Sequence, residues 1–279
     1  MNAILTRHRG IPAQDGAGVK LTRIVNQPSL PHQDPFLMLD EFRSDDPNDY
    51  IAGFPPHPHR GFVTLTYMLA GRMEHQDSVG NTGVVEAGGV QWMKAARGII
   101  HAEMPKQEEG LMWGFQLWLN LPAKDKLSAA QWADHRAETI PQWHGDAVTV
   151  RVIAGTQTFD GEVVTGPVQQ PEQHFQMLDV QFAAAGQWQQ RGPTPQTRLG
   201  YVYQGEVWLN DQLLQRGELV RLAADADLTL RSEAQAGMLL LAAQPIGEPI
   251  VQYGPFVMNS HAEIEQAIRD YQAGRFTAT

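Results

Sequence analysis

The strongest constraint on the fold of this chain is a series of short strand-like runs separated by turn-forming residues. Residues 62–69 (FVTLTYML) are rich in β-branched and aromatic side chains, and residues 114–121 (GFQLWLNL) also have the character of a strand. Further short runs occupy residues 73–77, 84–86 and 90–93, with glycine-containing turns between them. Strands that recur at this rate are typical of an antiparallel sandwich or barrel, so we predict an all-β fold.

A weak internal repeat indicates that the β unit occurs twice. Residues 67–73 (YMLAGRM) resemble residues 201–207 (YVYQGEV), and residues 87–93 (AGGVQWM) correspond to residues 216–222 (RGELVRL). Single matches of this kind arise by chance in a glycine-punctuated β protein. Their common order in both halves nevertheless favours two copies of one β-barrel unit.

The repeat predicts two domains, and the length of 279 residues exceeds the usual size of a single core. An N-terminal barrel is predicted in residues 1–135, and a second, degenerate barrel with a C-terminal extension in residues 136–279. The predicted linker is residues 121–140. Within it, residues 128–133 (SAAQWA) are predicted to form a helical turn or two.

The clearest helix signal lies near the C-terminus. Ser260 and Glu263 have the spacing of a capping box, in which the hydroxyl and the carboxylate each accept a hydrogen bond from a backbone N–H. An apolar stripe follows at helical spacing, and Gly274 is the predicted stop. The stripe consists of Ile264, Ala267, Ile268 and Tyr271. We predict a short helix that packs on a barrel.

The composition excludes several classes of function. The chain has 31 acidic and 21 basic residues, and the net charge of -10 argues against nucleic acid or an anionic membrane as a partner. It has no cysteine, which excludes disulfides, iron–sulfur clusters and thiol nucleophiles. The N-terminus lacks the apolar core of a signal peptide, and no apolar run approaches the ~20 residues of a membrane span. We therefore expect a cytoplasmic protein.

Two residue pairs carry most of the functional signal. His57 and His59 are spaced i, i+2 in PHPHRGF, and His101 and Glu103 have the same spacing in RGIIHAE. Alternate side chains of a strand share a face, so each pair can direct two ligands at one point. Three imidazoles and a carboxylate suit a divalent iron, nickel, copper or zinc ion, with no thiolate to favour a closed structural site.

The second half of the chain tests whether these residues merely follow the fold's sequence pattern. A lone His-x-His is weak support for a metal site, because many such pairs are surface strand residues. The repeat gives each of the four residues a counterpart, and none of these counterparts forms a comparable ligand set. The counterparts, in order, are Arg191, Pro193, Leu230 and Ser232. We therefore predict that the second copy binds no metal in this way.

Other polar and aromatic residues carry weaker signals. His75 could line the mouth of the barrel, but an ordinary strand position is the favoured interpretation. Asp40 and Glu41 are adjacent, so on a strand they face opposite sides and do not share a proton. Three residues are possible pocket walls, although core packing is the favoured interpretation for each: Phe54, Met68 and Trp92. Six histidines stand singly and are assigned no chemistry: His8, His32, His135, His144, His174 and His261.

Four stretches together resemble the pirin family of the cupin superfamily. They are residues 33–42 (QDPFLMLDEF), 56–64 (PHPHRGFVT), 88–93 (GGVQWM) and 98–103 (GIIHAE). The resemblance is strong over the N-terminal part of the chain. The second half matches mainly in length, as a degenerate cupin repeat with a C-terminal extension.

The resemblance implies a bicupin of two stacked jelly-roll barrels, with metal only in the N-terminal one. It implies the ligands His57, His59, His101 and Glu103, with Fe(II) as the usual ion and Ni, Cu, Zn or Mn as alternatives. Other cupins place a glutamate shortly after the second histidine, whereas here, as in pirins, the acid comes from Glu103. For bacterial members it implies quercetin 2,3-dioxygenase activity. The expected partners are a flavonol-like substrate and dioxygen, and we expect a monomer.

The implied reaction begins with a flavonol bound to the metal through its 3-hydroxyl. Glu103 is the candidate base, because it is the only carboxylate in the predicted set. Ring opening by dioxygen with release of carbon monoxide then follows from the resemblance. Two alternatives stay open: a non-catalytic iron-binding, redox-sensitive regulator of the pirin type, and another cupin chemistry on an unknown small molecule.

Overall fold

The computed structural model describes residues 3–170, 173–191 and 196–277. The chain divides into two compact units. The N unit comprises Ile11–Ala137 and Ile246–Thr279, and the C unit comprises Met1–Gly10 and Glu138–Pro245. The predicted division at residues 135 and 136 lies close to one of these changes of unit. The structure differs from that prediction at both termini, because each terminal segment groups with the opposite half of the chain.

The described residues are mainly β-strand, which confirms the predicted all-β class. The strands up to residue 135 are β1 (Ile4–Arg9), β2 (Ile11–Asp15), β3 (Val19–Val25), β4 (Phe36–Ser44), β5 (Phe54–His59), β6 (Phe62–Ala70), β7 (Arg72–Asp77), β8 (Thr82–Glu86), β9 (Val90–Lys94), β10 (Ile99–Pro105), β11 (Met112–Asn120) and β12 (Gln131–His135). Short 3-10 turns occupy Pro47–Asp49, Ala123–Asp125 and Ala137–Thr139.

The second half continues the pattern. Its strands are β13 (Gln142–His144), β14 (Val148–Ala154), β15 (Thr156–Phe159), β16 (Glu162–Thr165), β17 (Gln176–Phe182), β18 (Gly186–Gln190), β19 (Thr197–Gln204), β20 (Glu206–Leu209), β21 (Gln212–Gln215), β22 (Glu218–Leu222), β23 (Leu228–Ser232), β24 (Ala236–Ala243), β25 (Val251–Tyr253) and β26 (Phe256–Met258). One helix, α1 (His261–Gln272), follows among the described residues. Among all the described residues, no helix has the length and apolar character of a membrane span. The expected cytoplasmic location and monomeric state stay predictions.

Each unit contains one seven-stranded and one four-stranded antiparallel sheet, together with a two-stranded sheet, β25-β26 in the N unit and β15-β16 in the C unit. In the N unit the orders are β12-β9-β6-β11-β4-β3-β2 and β5-β10-β7-β8. In the C unit they are β1-β22-β19-β24-β17-β14-β13 and β18-β23-β20-β21. The repeat predicted from the sequence is confirmed, because β6 and β9 of the N unit hold the same places as β19 and β22 of the C unit. The paired sheets form jelly rolls rather than closed barrels.

The interiors of the two units differ. In the C unit a continuous apolar cluster that includes Val207, Leu209 and Leu230 fills the space between the sheets. In the N unit a smaller cluster surrounds Phe42 and Met68. A filled core leaves no room for a ligand, so among the described residues a functional site of this type is expected in the N unit.

The predicted linker forms more structure than expected. Residues 128–133 were predicted to make a helical turn, but Gln131–His135 is strand β12, which pairs with β9 at the edge of the N unit's larger sheet. The helix prediction is therefore wrong here. The unpaired edge of β9 provides hydrogen bonds that the local sequence does not reveal, and tertiary pairing overrides the weak helix preference of the alanines.

The C-terminal segment (residues 246–277) closes the N unit. The predicted helix is confirmed: the Ser260 hydroxyl accepts a hydrogen bond from Glu263 N, and Gly274 adopts a left-handed φ of 67° just after the helix. Glu263 Oε2 accepts from the backbone N–H of Asn259 at 2.9 Å. Ile264 and Ala267 of the predicted stripe are buried, whereas Tyr271 is 42% exposed.

The C-terminal segment also holds the β5–β6 corner, which consists of Arg60 and Gly61. The guanidinium of Arg60 donates to Asp270 Oδ2 at 2.8 Å and lies 4.4 Å from the ring centroid of Phe276. The fully buried Lys126 donates from Nζ to Gly61 O at 2.7 Å and to Val257 O at 2.9 Å. The corner that follows His59 is therefore fixed by β26 and α1.

Two glycine variants test this closure. Gly61 and Gly110 have left-handed φ values of 94° and 92°, but a Cβ at Gly61 meets the carbonyl oxygen of Val257, whereas at Gly110 nothing lies within 4 Å. We expect Gly110→Ala to lower the free energy of unfolding by about 1 kcal/mol through backbone strain alone. Gly61→Ala should lower it by about 3 kcal/mol or more, because β26 must also move. Urea unfolding measures both, and equal losses would contradict the closure.

Candidate metal centre and its cavity

The pairing of β5 with β10 brings the predicted residues together. His101 lies directly opposite His57, and Ile99 lies opposite His59. A register shift follows His101, so Glu103 lies opposite Phe54. Because side chains alternate along a strand, His57 and His59 share one face of β5. His101 and Glu103 share the corresponding face of the neighbouring strand, β10.

Three imidazoles converge at this pairing. One ring nitrogen of each of His57, His59 and His101 lies within 4.8 Å of the others, which forms a candidate metal site among the described residues. The Nε2 atoms of His57 and His59 are 3.0 Å apart. Nε2 of His101 is buried and has no hydrogen-bond partner. A buried ring nitrogen rarely lacks a partner, so the convergence fits a divalent cation that would accept the three lone pairs.

The surroundings of two of these imidazoles, His59 and His101, disfavour their protonation. Burial lowers the pKa of His59 well below its usual value, and the neighbouring His57 lowers it further. Burial likewise lowers the pKa of His101, helped by the three nearby imidazoles of His59, His57 and His75. Only a neutral imidazole has a lone pair for a metal, so the same burial that disfavours protonation prepares the rings as ligands.

A hydrogen bond fixes which nitrogen of His57 is available. Nδ1 of His57 lies 2.8 Å from Pro55 O, and a carbonyl only accepts, so this nitrogen carries the proton and Nε2 is left as a ligand. Nδ1 of His59 is buried and has no hydrogen-bond partner among the described residues. The next residue, Arg60, donates from its backbone N to Pro255 O at 3.3 Å, so the segment that holds the β5–β6 corner contacts the chain beside a candidate ligand.

His75 is a site residue that the sequence interpretation missed. It is completely buried on β7, and its Nδ1 lies 3.3 Å from Nδ1 of His101. Its Nε2 lies 3.3 Å from Asp77 Oδ2, and its ring stacks on Trp132 with centroids 5.6 Å apart. From the sequence, an ordinary strand position was the favoured interpretation of His75. The spacing of His75 and Asp77, again i, i+2, was the one available signal.

The chain of contacts through His75 sets the tautomer of His101. The Asp77 carboxylate accepts, so Nε2 of His75 donates to it and Nδ1 of His75 is left as an acceptor. Nδ1 of His101 must then donate to His75. This leaves the lone pair of His101 on Nε2, which is the atom without a partner.

Glu103 lies beside the histidines but is held by other groups. Its carboxylate is not part of the set of ligand atoms within 4.8 Å. Oε1 lies 2.8 Å from Thr66 Oγ1, and Oε2 accepts from Gln116 Nε2 at 3.3 Å. The side chain is 5% exposed and lines the same cavity as His57 and His59.

A cavity of about 600 Å³ opens at these residues. Its volume lies in the range of about 300–1,000 Å³ that is typical of small-molecule sites. Apolar groups make up much of its wall. These include Leu21, Met38, Phe42, Phe54, Met73, Trp118 and Pro255. The cavity can therefore hold a ligand of aromatic character with one end at His57 and His59.

Of the three residues considered as possible pocket walls, one lines the cavity and two do not. Phe54 lines the cavity, whereas Met68 packs in the neighbouring apolar cluster and Trp92 is not among the cavity's lining residues. Asp40 faces the cavity, and Glu41 on the opposite face of β4 accepts from Trp113 Nε1 at 2.8 Å, so the two carboxylates are separated as predicted.

The corresponding strands of the C unit, β18 and β23, provide no imidazole. Leu230 on β23 pairs with Trp188 on β18. Ser232 is the last residue of β23, where its hydroxyl donates to Glu206 O at 2.8 Å. Arg191 follows the end of β18, and Pro193 lies outside the described residues. The four predicted counterparts thus bring no comparable ligand group together in the described part of the C unit.

Both halves of the chain match family models. Residues 18–119 match the family described as Pirin, and residues 177–277 match that described as Pirin C-terminal cupin domain. The second match confirms that the degenerate repeat in the second half is a cupin domain.

Relatives extend over nearly the whole length. A Pseudomonas aeruginosa protein with the provisional name quercetin 2,3-dioxygenase is 51% identical over 97% of this chain and 96% of its own. A pirin-like protein of Caulobacter vibrioides is 44% identical over 96% of both chains. The crystal structure of quercetin 2,3-dioxygenase from Acinetobacter baumannii has a TM-score of 0.89 and 30% identity, and the match covers 99% of this chain and 98% of that one. The chain therefore belongs to the pirin family.

Proposed function

We propose that this protein is a metal-dependent dioxygenase that opens the ring of quercetin or a related flavonol with dioxygen and releases carbon monoxide. The observation that carries the proposal is the convergence of three imidazoles, two of which, His57 and His59, line a cavity with apolar walls. The names of the Pseudomonas and Acinetobacter relatives support the choice of flavonol as the substrate class.

The proposed ligands are His57, His59, His101 and Glu103, and they would hold one divalent ion. Imidazole and carboxylate donors suit Fe(II), which we propose, as well as Ni, Cu, Zn or Mn. The bound ion would supply positive charge that lowers the pKa of a coordinated hydroxyl. Four protein ligands leave at least one position of a five- or six-coordinate ion open for the substrate.

The proposed role of Glu103 is to take the proton of the substrate hydroxyl. Thr66 Oγ1 lies 2.8 Å from Glu103 Oε1 and 2.6 Å from Gln116 Oε1, yet its hydroxyl has one hydrogen for two acceptors. With the Gln116 amide in this orientation, protonated Glu103 donates to Thr66, Thr66 donates to Gln116, and Gln116 donates back to Glu103. In this arrangement Thr66 and Gln116 provide hydrogen-bond partners for a Glu103 that has taken up the proton.

The apolar wall would orient the substrate. Trp118 lies beside the site, with its ring centroid 5.1 Å from that of His59. Met38 and Phe54 line the cavity with it. A flat aromatic ligand between such side chains loses water and is held with its oxygens toward the histidines, which favours reaction by positioning.

Oxygen uptake tests the proposed function. We expect anaerobically purified, Fe(II)-loaded protein to consume dioxygen on addition of quercetin, with release of carbon monoxide. Glu103→Gln keeps the shape of the side chain but cannot take a proton, so we expect it to retain some metal and lose at least about a hundredfold in turnover. Full metal occupancy without oxygen uptake by the wild-type protein would sink the proposal and favour the iron-binding regulator.

Removal of one imidazole tests the ligand set. We expect His101→Ala to lose most of its bound metal, because the remaining donors cannot complete the site. The control is His144→Ala, which changes an exposed histidine of the C unit. Metal content per chain, measured by elemental analysis, should fall only in the first variant. Stoichiometric metal in His101→Ala would show that the site is misassigned.

His75 gives a test of how the site is oriented. His75→Phe keeps a ring against Trp132 but removes the acceptor for Nδ1 of His101, and we expect a loss of about 10–100-fold in affinity for Co(II). His75→Gln restores an acceptor and should recover part of this loss, whereas His135→Phe on β12 is the control. Chelator competition and the visible spectrum of the Co(II) protein report the change. Unchanged affinity in His75→Phe would remove the tautomer argument.

A further inference from the structure

A row of polar side chains crosses the interior of the N unit's seven-stranded sheet. Six strands in succession place a polar residue at the same register. From the β3 side of the sheet to the β12 edge, the row consists of Arg23 on β3, Asp40 on β4, Gln116 on β11, Thr66 on β6, Gln91 on β9 and Asp134 on β12. Neighbouring strands lie about 4.8 Å apart, so the row from Thr66 to Arg23 spans about 14 Å.

The residues on either side of the row are mostly apolar. Two positions away on the same strands lie Met38 and Trp118 on one side, and Phe42 and Met68 on the other. Buried polar groups in such surroundings cost free energy unless they are paired or bind something. The row is therefore a feature that the packing of the fold alone does not require.

The row is interrupted inside the cavity. Arg23 donates to both oxygens of Asp40, at 3.0 and 2.7 Å, and Thr66 lies 2.6 Å from Gln116. Asp40 and Gln116 are directly opposite each other, yet among the described residues no hydrogen bond joins them. Arg23, Asp40 and Gln116 all line the cavity. The interruption therefore faces the space where a ligand would lie.

The Arg23–Asp40 pair has unused capacity at this point. Nη1 of Arg23 makes no hydrogen bond to the described residues, while its Nε and Nη2 are engaged. Asp40 is almost fully buried, and this burial raises the pKa of its carboxyl to about 6 despite the guanidinium. At neutral pH the carboxylate has lone pairs beyond those that Arg23 uses. A donor and an acceptor thus lie side by side.

The charge balance selects the kind of group that fits. Arg23 contacts two carboxylates, those of Asp40 and Asp15, so the local charge is negative. An anionic ligand group is disfavoured there. A neutral hydroxyl donates to Asp40 and accepts from Arg23, and therefore satisfies both. An ether oxygen only accepts, so it satisfies the Arg23 donor but leaves the Asp40 acceptor without a partner.

We propose that the Arg23–Asp40 pair is the subsite that binds a free hydroxyl at the end of the substrate remote from the three histidines. The site then selects planar aromatic compounds that have metal-binding oxygens at one end and a free hydroxyl at the other over compounds that lack that hydroxyl. This inference rests on the proposed function, since it takes a flavonol as the bound class.

Equilibrium binding to metal-loaded protein without oxygen tests the subsite apart from turnover. The probes are 3-hydroxyflavone, its 5,7-dihydroxy and 4′-hydroxy derivatives, and the methyl ethers of the added hydroxyls. We expect one derivative to bind at least about tenfold more tightly than 3-hydroxyflavone, and its methyl ether to lose that gain, because a hydrogen bond to a charged group is made or lost. Derivatives that bind no better than 3-hydroxyflavone would overturn the inference.

A matched pair of variants assigns the effect to Asp40. Asp40→Asn keeps the size of the side chain, so we expect the gain from the hydroxyl, measured relative to 3-hydroxyflavone in the same variant, to fall to about threefold or less. Asp49→Asn is the control, because Asp49 is also ion-paired, to Lys20, but lies outside the cavity. An undiminished gain in Asp40→Asn would assign the selectivity elsewhere and overturn the inference.

Oxygen uptake on the same samples separates this inference from the proposed function. Equal KM values for all the flavonols would overturn the subsite and leave the dioxygenase in place. Selective binding without any oxygen uptake would overturn the dioxygenase and retain the subsite. No binding of any flavonol would overturn both.

Discussion

The candidate metal centre depends on how firmly the β5–β6 corner is held. The ion pair between Arg60 and Asp270 joins residues 210 positions apart, and Lys126 ties Gly61 to β26 through two carbonyl oxygens. His59 precedes this corner directly, so its ring can be buried beside two other imidazoles only while the corner stays in place. Burial in turn lowers the pKa of His59 and His101, which keeps these two rings available as ligands. Packing of the C-terminal segment and the chemistry of the site are thus parts of one arrangement.

The two units show how one architecture is either filled or opened. Val207 and Leu230 of the C unit lie on strands that correspond to β7 and β10, and there they complete an apolar core. In the N unit those strands carry His75 and His101 instead. A polar interior cannot close without partners, so the N unit retains a cavity and a network of hydrogen bonds. The two units have the same strand order. They differ in the residues at inward positions, which are apolar in the C unit and include the candidate ligands in the N unit.

The parts predicted correctly from the sequence are those that depend on local rules. Alternation along a strand was enough to bring His57 and His59 to one face, and the Ser260 capping motif was enough to begin the helix. The role of His75 could not be predicted, because it depends on the pairing of β7 with β10. Strand β12 was mistaken for helix for a related reason, since its conformation is set by a partner strand rather than by its own residues. The exchange of terminal segments between units likewise rests on contacts that no local pattern encodes.

The assignment of residues 246–277 to the N unit has a consequence for biosynthesis. A ribosome makes β2 to β12 of the N unit before the C unit, but β25, β26 and α1 are made after it. The β5–β6 corner therefore has no anchor until residues 246–277 have been made, and most of the C unit is synthesised while the imidazoles of the N unit are still incompletely enclosed. The candidate metal site can then close only after the C-terminal segment has been made, and a nascent product truncated before residue 246 would lack the closed site.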